Sequence, residues 1–373
     1  MIRFLTSGES HGKTLATIID GIPSGMLLAE MDINPDLENR QKGYGRGGRM
    51  AIEKDSVEIV SGVRNGKTTG SPVTLLIANR DSKNWENKIV PPVTMPRPGH
   101  ADLTGVLKYG LSDVRDVLER ASARETAARV AAGAVCRKLL REFGIEIFSY
   151  VTEIAEISAK PFPLMNRKLV ELSPVRTQDK KAEKAMITAI EKAKKGGDSL
   201  GGVFEVRAIN VPAGLGSYTQ WDKRLDACLA GGLMGLQAIK GVEIGLGFEA
   251  AKRVGSKVHD EIYYGKDGYF RKTNNCGGLE GGMSNGSDIV IRAAMKPIAT
   301  LYKPLNSIDI ISKKKVKAAV ERSDTCAVPA ASVVGEAIVA YEIANAFVEK
   351  FGGDAVVDMK ASLKAYLKRT KGL

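Results

Sequence analysis

Strand-like and helix-like runs in this chain come in clusters rather than in strict alternation, and that pattern constrains the fold most. Five runs either alternate apolar with polar residues or concentrate β-branched ones between turn residues, at 57–63, 73–78, 145–157, 203–211 and 289–294. Helical spacing is clearest in four stretches, at 122–143, 180–195, 222–239 and 329–351. The second of these stops at Gly196-Gly197; the fourth opens on Pro329 and closes on Gly352-Gly353, a helix start and stop that glycine and proline chemistry favours. A doubly wound parallel sheet needs regular β-α alternation, so an α+β fold is expected instead. The length of 373 residues would allow two or three units, but no low-complexity linker divides the chain. A single domain over residues 1–373 is therefore expected, with an internal duplication.

At 43% hydrophobic and 26% charged residues, disordered, collagen-like and fibrous classes are excluded. Lysine and arginine outnumber acidic residues 55 to 43, a net charge of +12. Such a surplus points to an anionic partner: nucleic acid, a membrane, or a phosphorylated or carboxylated small molecule. Aromatic residues are only 6% and do not interleave with basic runs, which argues against a base-stacking nucleic-acid platform. The four cysteines, Cys136, Cys228, Cys276 and Cys326, are far apart and form no C-x-x-C pair. Neither a disulfide framework nor a metal site is expected, and a reducing cytoplasm is. The N-terminus lacks a signal-peptide core and no run approaches the length of a membrane span, so a soluble cytoplasmic protein with no membrane partner is expected. The lysine-rich 313–315 and 364–371 segments read as solvated faces.

Three motif matches fail on context. Gly8-Glu9-Ser10-His11-Gly12 fits the nucleophile elbow of serine hydrolases, but only nine residues precede Ser10 and no oxyanion loop lies upstream. Gly43, Gly45 and Gly48 have the spacing of a dinucleotide fingerprint but follow a polar, helix-like segment rather than a strand. Gly62, Gly66, Lys67 and Thr68 are one residue short of a P-loop, and a strand follows.

What remains is a set of turns. Two of the three histidines, His11 and His100, sit in turns built from glycine and proline, accessible and held, as a proton donor near neutral pH requires. His259, in a charged run, reads as a solvated side chain. Arg40, Arg46, Arg49, Arg97, Arg120 and Arg124 gather around the same turns, and guanidinium groups match phosphate and carboxylate bidentately. Ser122-Ala123-Arg124-Glu125 fits a capping box opening an alanine-rich helix, whose N-terminus beside two arginines suits an anion. Glycines crowd at 43–48 and 277–286, where backbone can approach a ligand closely. The sum is a pocket for an ionised small molecule with two proton-transfer groups.

Those residues resemble one family. Gly8-Glu9-Ser10-His11-Gly12, the 43–50 run, Arg97-Pro98-Gly99-His100-Ala101-Asp102, Arg120-Ala121-Ser122-Ala123-Arg124-Glu125-Thr126 and Arg322-Ser323-Asp324 are similar, in order and up to about residue 350, to the chorismate synthases. The resemblance implies a β-α-β sandwich of antiparallel sheets around helices, assembled as a homotetramer. It implies a 1,4-anti elimination of phosphate from 5-enolpyruvylshikimate 3-phosphate to give chorismate, dependent on reduced FMN with no net redox change. Within it, His11 resembles the histidine beside the flavin, His100 the proton donor to the departing phosphate, and Asp324 the aspartate that works with the flavin in removing the substrate proton. Arg40, Arg46, Arg49, Ser122, Arg124 and Arg322 resemble the groups around the substrate anions, the first two also carrying an NADP label in the family. FMN contacts fall on Arg120, Ala121, Ser122, Gln237, Ala238, Gly281, Lys296, Pro297, Ile298, Ala299, Thr300 and Arg322. Many relatives have His-Asp-Pro after the arginine where this chain has Ser323-Asp324-Thr325, and asparagine where Gln237 stands. Fungal relatives add a flavin-reductase activity; no extra domain for it is evident, so a separate flavin reductase is expected.

Overall fold

The computed structural model describes residues 1–48, 53–86, 88, 90–162, 165–266 and 268–371. The chain opens with a hairpin of β1 (Arg3–Ser7) and β2 (Thr14–Asp20), followed by α1 (Glu30–Gln41), β3 (Val57–Ser61) and β4 (Val73–Ala78). These strands form an antiparallel sheet in the order β1-β2-β4-β3. In β4 the period of two is plain: Val73, Leu75 and Ile77 are buried and the residues between them are not. After α2 (Asp102–Tyr109) and α3 (Val114–Ala121) comes the alanine-rich α4 (Thr126–Arg141).

The second half runs through β5 (Glu146–Ile154), the short β6 (Ile157–Ser158), α5 (Lys180–Gly196), β7 (Gly202–Ile209), α6 (Leu225–Met234), β8 (Ile239–Ile244) and β9 (Ile289–Met295). It ends on α7 (Val328–Phe351) and α8 (Val356–Lys371). The antiparallel sheet here has the order β8-β9-β7-β5-β6. Without β6, the order β5-β7-β9-β8 repeats β1-β2-β4-β3, with α6 standing where α1 stands and α7 where α4 stands. The internal duplication is thus present as topology. It also explains why strict alternation is missing: each half pairs its strands two by two.

Helix α4 packs on β2 of the first sheet, α7 packs on β5 and β7 of the second, and α4 and α7 pack on each other, giving sheet, helices, sheet. The two helices meet closely because their contact residues are small. A Cβ on Gly133 would stand 2.3 Å from that of Ala337. Arg137 of α4 crosses this layer, reaching Glu336 of α7 at 2.8 Å and Asp36 of α1. Glu336 also receives Arg176 at 2.8 Å, so the buried charges are paired, as burial demands.

Four sequence expectations are corrected. The 222–239 run is helical only to Met234; a turn at Ala238, with φ 68°, sends Ile239 into β8. The 145–157 run is two strands, broken at Ala155 with φ 52°. The capping box is half made: Ser122 Oγ accepts from the Arg124 N–H at 3.2 Å, but the Glu125 carboxylate turns to Arg129, Thr6 and Gln237 instead. And one run does reach membrane-span length: α7 is long and apolar enough, although 78% of its most apolar window is buried inside the protein between helices and sheet. Of the lysine-rich tail, residues up to 371 lie in α8, anchored through buried Val356 and Met359.

Candidate active site

His11 sits in the loop between β1 and β2. Gly8 enters that loop at φ 103°, and a Cβ there would come within 2.4 Å of the Thr14 carbonyl, so only glycine allows the turn. The match to the hydrolase elbow is therefore a hairpin loop, and buried Ser10 donates to Ser122 Oγ at 3.1 Å. The His11 ring is fixed from three sides. Its Nδ1 lies 2.6 Å from Glu119 Oε1 while its backbone N–H donates to Oε2 at 2.7 Å. Its ring centroid is 4.1 Å from that of Trp85, and its Nε2 is 4.0 Å from Asp81 Oδ2. Burial would lift the Glu119 carboxyl, but the bonds from His11 outweigh it and hold it below the ordinary glutamate value. The same fully buried Asp81 lies 3.6 Å from Arg322, whose side chain is otherwise open.

Beneath this lies a network around Asp55. Arg40 donates to Thr126 Oγ1, Asp55 and the Ala123 carbonyl at 2.9, 3.2 and 3.2 Å. Arg124 donates to the other Asp55 oxygen at 2.6 Å and to Asn79 at 2.7 Å. Burial pulls the Arg40 guanidinium down to about 10, against the attraction of Asp55. Nη2 of Arg124 is buried with no hydrogen-bond partner among the described residues, but it is ion-paired with buried Glu53 at 3.8 Å.

The 43–48 loop docks on the loop before α7. Asp324 accepts the Gly47 N–H at 2.7 Å and pairs with Arg46 at 3.0 Å, while the Thr325 N–H donates to the Gly45 carbonyl at 2.8 Å. The run thus serves as a docking loop off the end of α1, not a dinucleotide turn. Arg49 lies outside the described residues. The P-loop-like residues form a small hairpin, Val63–Arg64 with Lys67–Thr68.

His100 belongs to a second group. Asp102, buried at the start of α2, accepts from Arg97 Nε at 2.8 Å and bonds His100 Nδ1. Arg97 also donates to Thr300 Oγ1 at 2.9 Å, and Lys296 Nζ donates to the Gly99 carbonyl. Adjacent residues join this group to the Asp324 loop, for Ser199 Oγ donates to the Ile298 carbonyl at 2.7 Å and the Leu200 N–H to that of Thr325 at 2.8 Å. The Lys296 N–H donates to the Ala238 carbonyl at 2.9 Å, which brings in Gln237, bonded to Glu125 at 3.2 Å. Arg120, following Glu119 on α3, holds Gly8 and Thr6 at 3.1 and 2.8 Å. Pro297 and Ala299 flank Ile298, Ala121 precedes Ser122, and Gly281 sits in the turn of the hairpin Leu279–Glu280 with Met283–Ser284. Sequence reasoning did not single out Glu119, Asp81, Asp55 or Asp102 as site residues. Only Asp102 carried a local signal, two residues from His100.

A flavin phosphate and ring need cations, hydroxyl donors and open backbone. Lys296 and Thr300 supply the first two, nothing lies within 4 Å of where a Gly281 Cβ would stand, and Gln237 Oε1 is buried with no hydrogen-bond partner among the described residues. These residues fit such a group.

Paired antiparallel sheets enclosing helices, with buried guanidinium groups and two carboxylate-held histidines on loops, are the setting of an enzyme that handles an anionic small molecule. The chorismate synthase family model matches residues 2–348. The chain is 57% identical to the chorismate synthase of Syntrophotalea carbinolica, over 98% of this chain and 97% of that one. It is 55% identical to the chorismate synthase of Geotalea daltonii over the whole of both. A solved structure described as a crystal structure of chorismate synthase superposes with a TM-score of 0.83 at 46% identity, covering 100% of this chain and 99% of that one. The chain belongs to the chorismate synthase family.

Proposed function

We propose that this chain, acting as one unit over residues 1–373, eliminates phosphate from 5-enolpyruvylshikimate 3-phosphate to give chorismate, with reduced FMN present and not consumed. The observation that carries the reading is the junction of the Arg46 loop with the Arg322–Asp324 loop beside the carboxylate-held His11. Arg46, Arg322 and the buried Arg124 are cations for the substrate's carboxylates and phosphate, with Arg40 steadying Arg124 through their shared Asp55. Ser122 and, from the sequence alone, Arg49 are assigned to the same anions. With Arg40's three nitrogens engaged by Thr126, Asp55 and Ala123, NADP at this position is no part of the reading.

His100 gives a proton to the departing phosphate, whose charge the arginines neutralise. Asp324 receives the proton lost from the substrate on a carboxylate oxygen. His11, clamped by Glu119, would stand beside the cofactor and support the cofactor's protonation state. FMN would rest on Arg120, Ala121, Ser122, Gln237, Ala238, Gly281, residues 296–300 and Arg322, and when reduced it supplies electron density to the emptying carbon framework. A cytoplasmic homotetramer served by a separate flavin reductase completes the proposal; with most of α7 buried, membrane attachment is not invoked. The test is anaerobic phosphate release from 5-enolpyruvylshikimate 3-phosphate with reduced FMN, oxidised FMN or none. Turnover with oxidised FMN alone, or one flavin oxidised per product, would overturn it.

A further inference from the structure

Asp102 is the carboxylate bonded to the His100 ring. It is fully buried and accepts the Arg97 N–H at 2.9 Å, Arg97 Nε at 2.8 Å and Arg97 Nη2 at 3.0 Å, in addition to its bond with His100 Nδ1. A carboxylate is acceptor-only, so the hydrogen in the bond to Nδ1 comes from the ring. Arg97 Nη2 lies 3.2 Å from Nδ1 and 3.5 Å from Nε2, so among the described residues the ring is flanked by one anion and one cation, with Lys296 on the neighbouring Gly99 carbonyl. Despite burial, the bonds from His100 and Arg97 hold the Asp102 carboxyl far below the ordinary aspartate value, so it stays ionised. Arg97 is in turn anchored on Thr300 at 2.9 Å.

We infer that Asp102, locked by Arg97, is a positioning residue that fixes His100 in the tautomer with hydrogen on Nδ1, making Nε2 the atom that exchanges protons with the ligand. The inference rests on the reading that His100 is the proton donor. It adds which atom acts and what sets it. Both residues act through the ring.

Replacing Asp102 by Asn should do more than weaken a bond. An amide offers one acceptor oxygen, and the guanidinium of Arg97, which cannot deprotonate, claims it. The amide NH₂ is then left facing Nδ1, which must become an acceptor. Asp102→Asn therefore switches His100 to the Nε2–H tautomer. The chain has only three histidines, so ring ¹⁵N spectra of cofactor-free protein are resolvable, with His100 assigned by its loss in His100→Gln. At a pH where the ring is neutral, hydrogen on Nδ1 of the parent and on Nε2 of Asp102→Asn is expected. Under the anaerobic assay kcat should fall by about 10²–10⁴-fold, with KM little changed. Hydrogen on Nε2 in the parent overturns the inference even if the Asn variant does not fold. An unchanged tautomer in a folded Asn variant overturns it too. Normal turnover of His100→Gln would instead sink the proton-donor reading while leaving the tautomer result standing.

Discussion

Asp324 is held between two loops. It pins the Gly47 N–H at 2.7 Å and Arg46 at 3.0 Å, which is enough to explain it as a clasp between loops. Asp324→Asn separates clasp from base, since the amide oxygen can still accept from Gly47 but the group cannot take a proton. If it is the base, turnover falls by about 10²–10⁴-fold with substrate affinity nearly intact. A clasp alone would cost about 1 kcal/mol of stability and leave turnover near normal, which would decide against the base. Arg46→Ala should weaken substrate binding by about 1.5–3 kcal/mol, read by calorimetry, with folding preserved. Which turns hold His11 and His100 was legible in the sequence, because glycine and proline mark turns locally. What grips His11 was not: Glu119 stands 108 residues away, and only the fold brings it to the ring.

At the scale of elements, the sequence shows where helices pack better than where they end. The α5 start was legible from helical spacing, and the structure shows why the helix begins there: Asp179 caps it, accepting from the Lys181 and Ala182 N–H groups at 2.9 and 3.1 Å. The end of α6 was not, because the apolar pattern carries on through Leu236 and Ile239 into a strand. Two glycine-to-alanine changes separate packing from propensity. Alanine in a helix interior gains about 1 kcal/mol over glycine. At Gly231 in α6 nothing lies within 4 Å of the new methyl group, so Gly231→Ala should stabilise by roughly 0.5–1 kcal/mol. At Gly133 in α4 the methyl group would meet Ala337 at 2.3 Å, and forcing α4 and α7 apart costs about 1–3 kcal/mol, more than the propensity gain. Denaturant midpoints of the two variants should move in opposite directions; a stabilised Gly133→Ala would show that the helix pair yields.

Across the whole molecule, the duplicated halves meet through α4 and α7, so charges near that seam report on the assembled core. Glu342 of α7 lies under α6, where a Cβ on Gly232 would come within 2.8 Å of its Oε1. Burial alone pushes its carboxyl up to about 7. A folded value above the unfolded one means the native state holds the proton more tightly. The resulting stability is fully present below the unfolded value of about 4.3, and is lost as pH rises through 7. Glu119 and Asp102 behave oppositely. Their partners hold them low despite burial, so their stability is present above the unfolded carboxylate values and is lost only as pH falls through the folded ones. Glu342→Gln removes the first dependence and leaves the second. The stability difference, variant minus parent, should therefore grow by on the order of 2–3 kcal/mol between about pH 5 and pH 8. Below that window the two acid limbs should coincide. Denaturant unfolding at a series of pH values measures this directly, and a difference that stays flat through pH 7 would show that Glu342 is solvated in the native state.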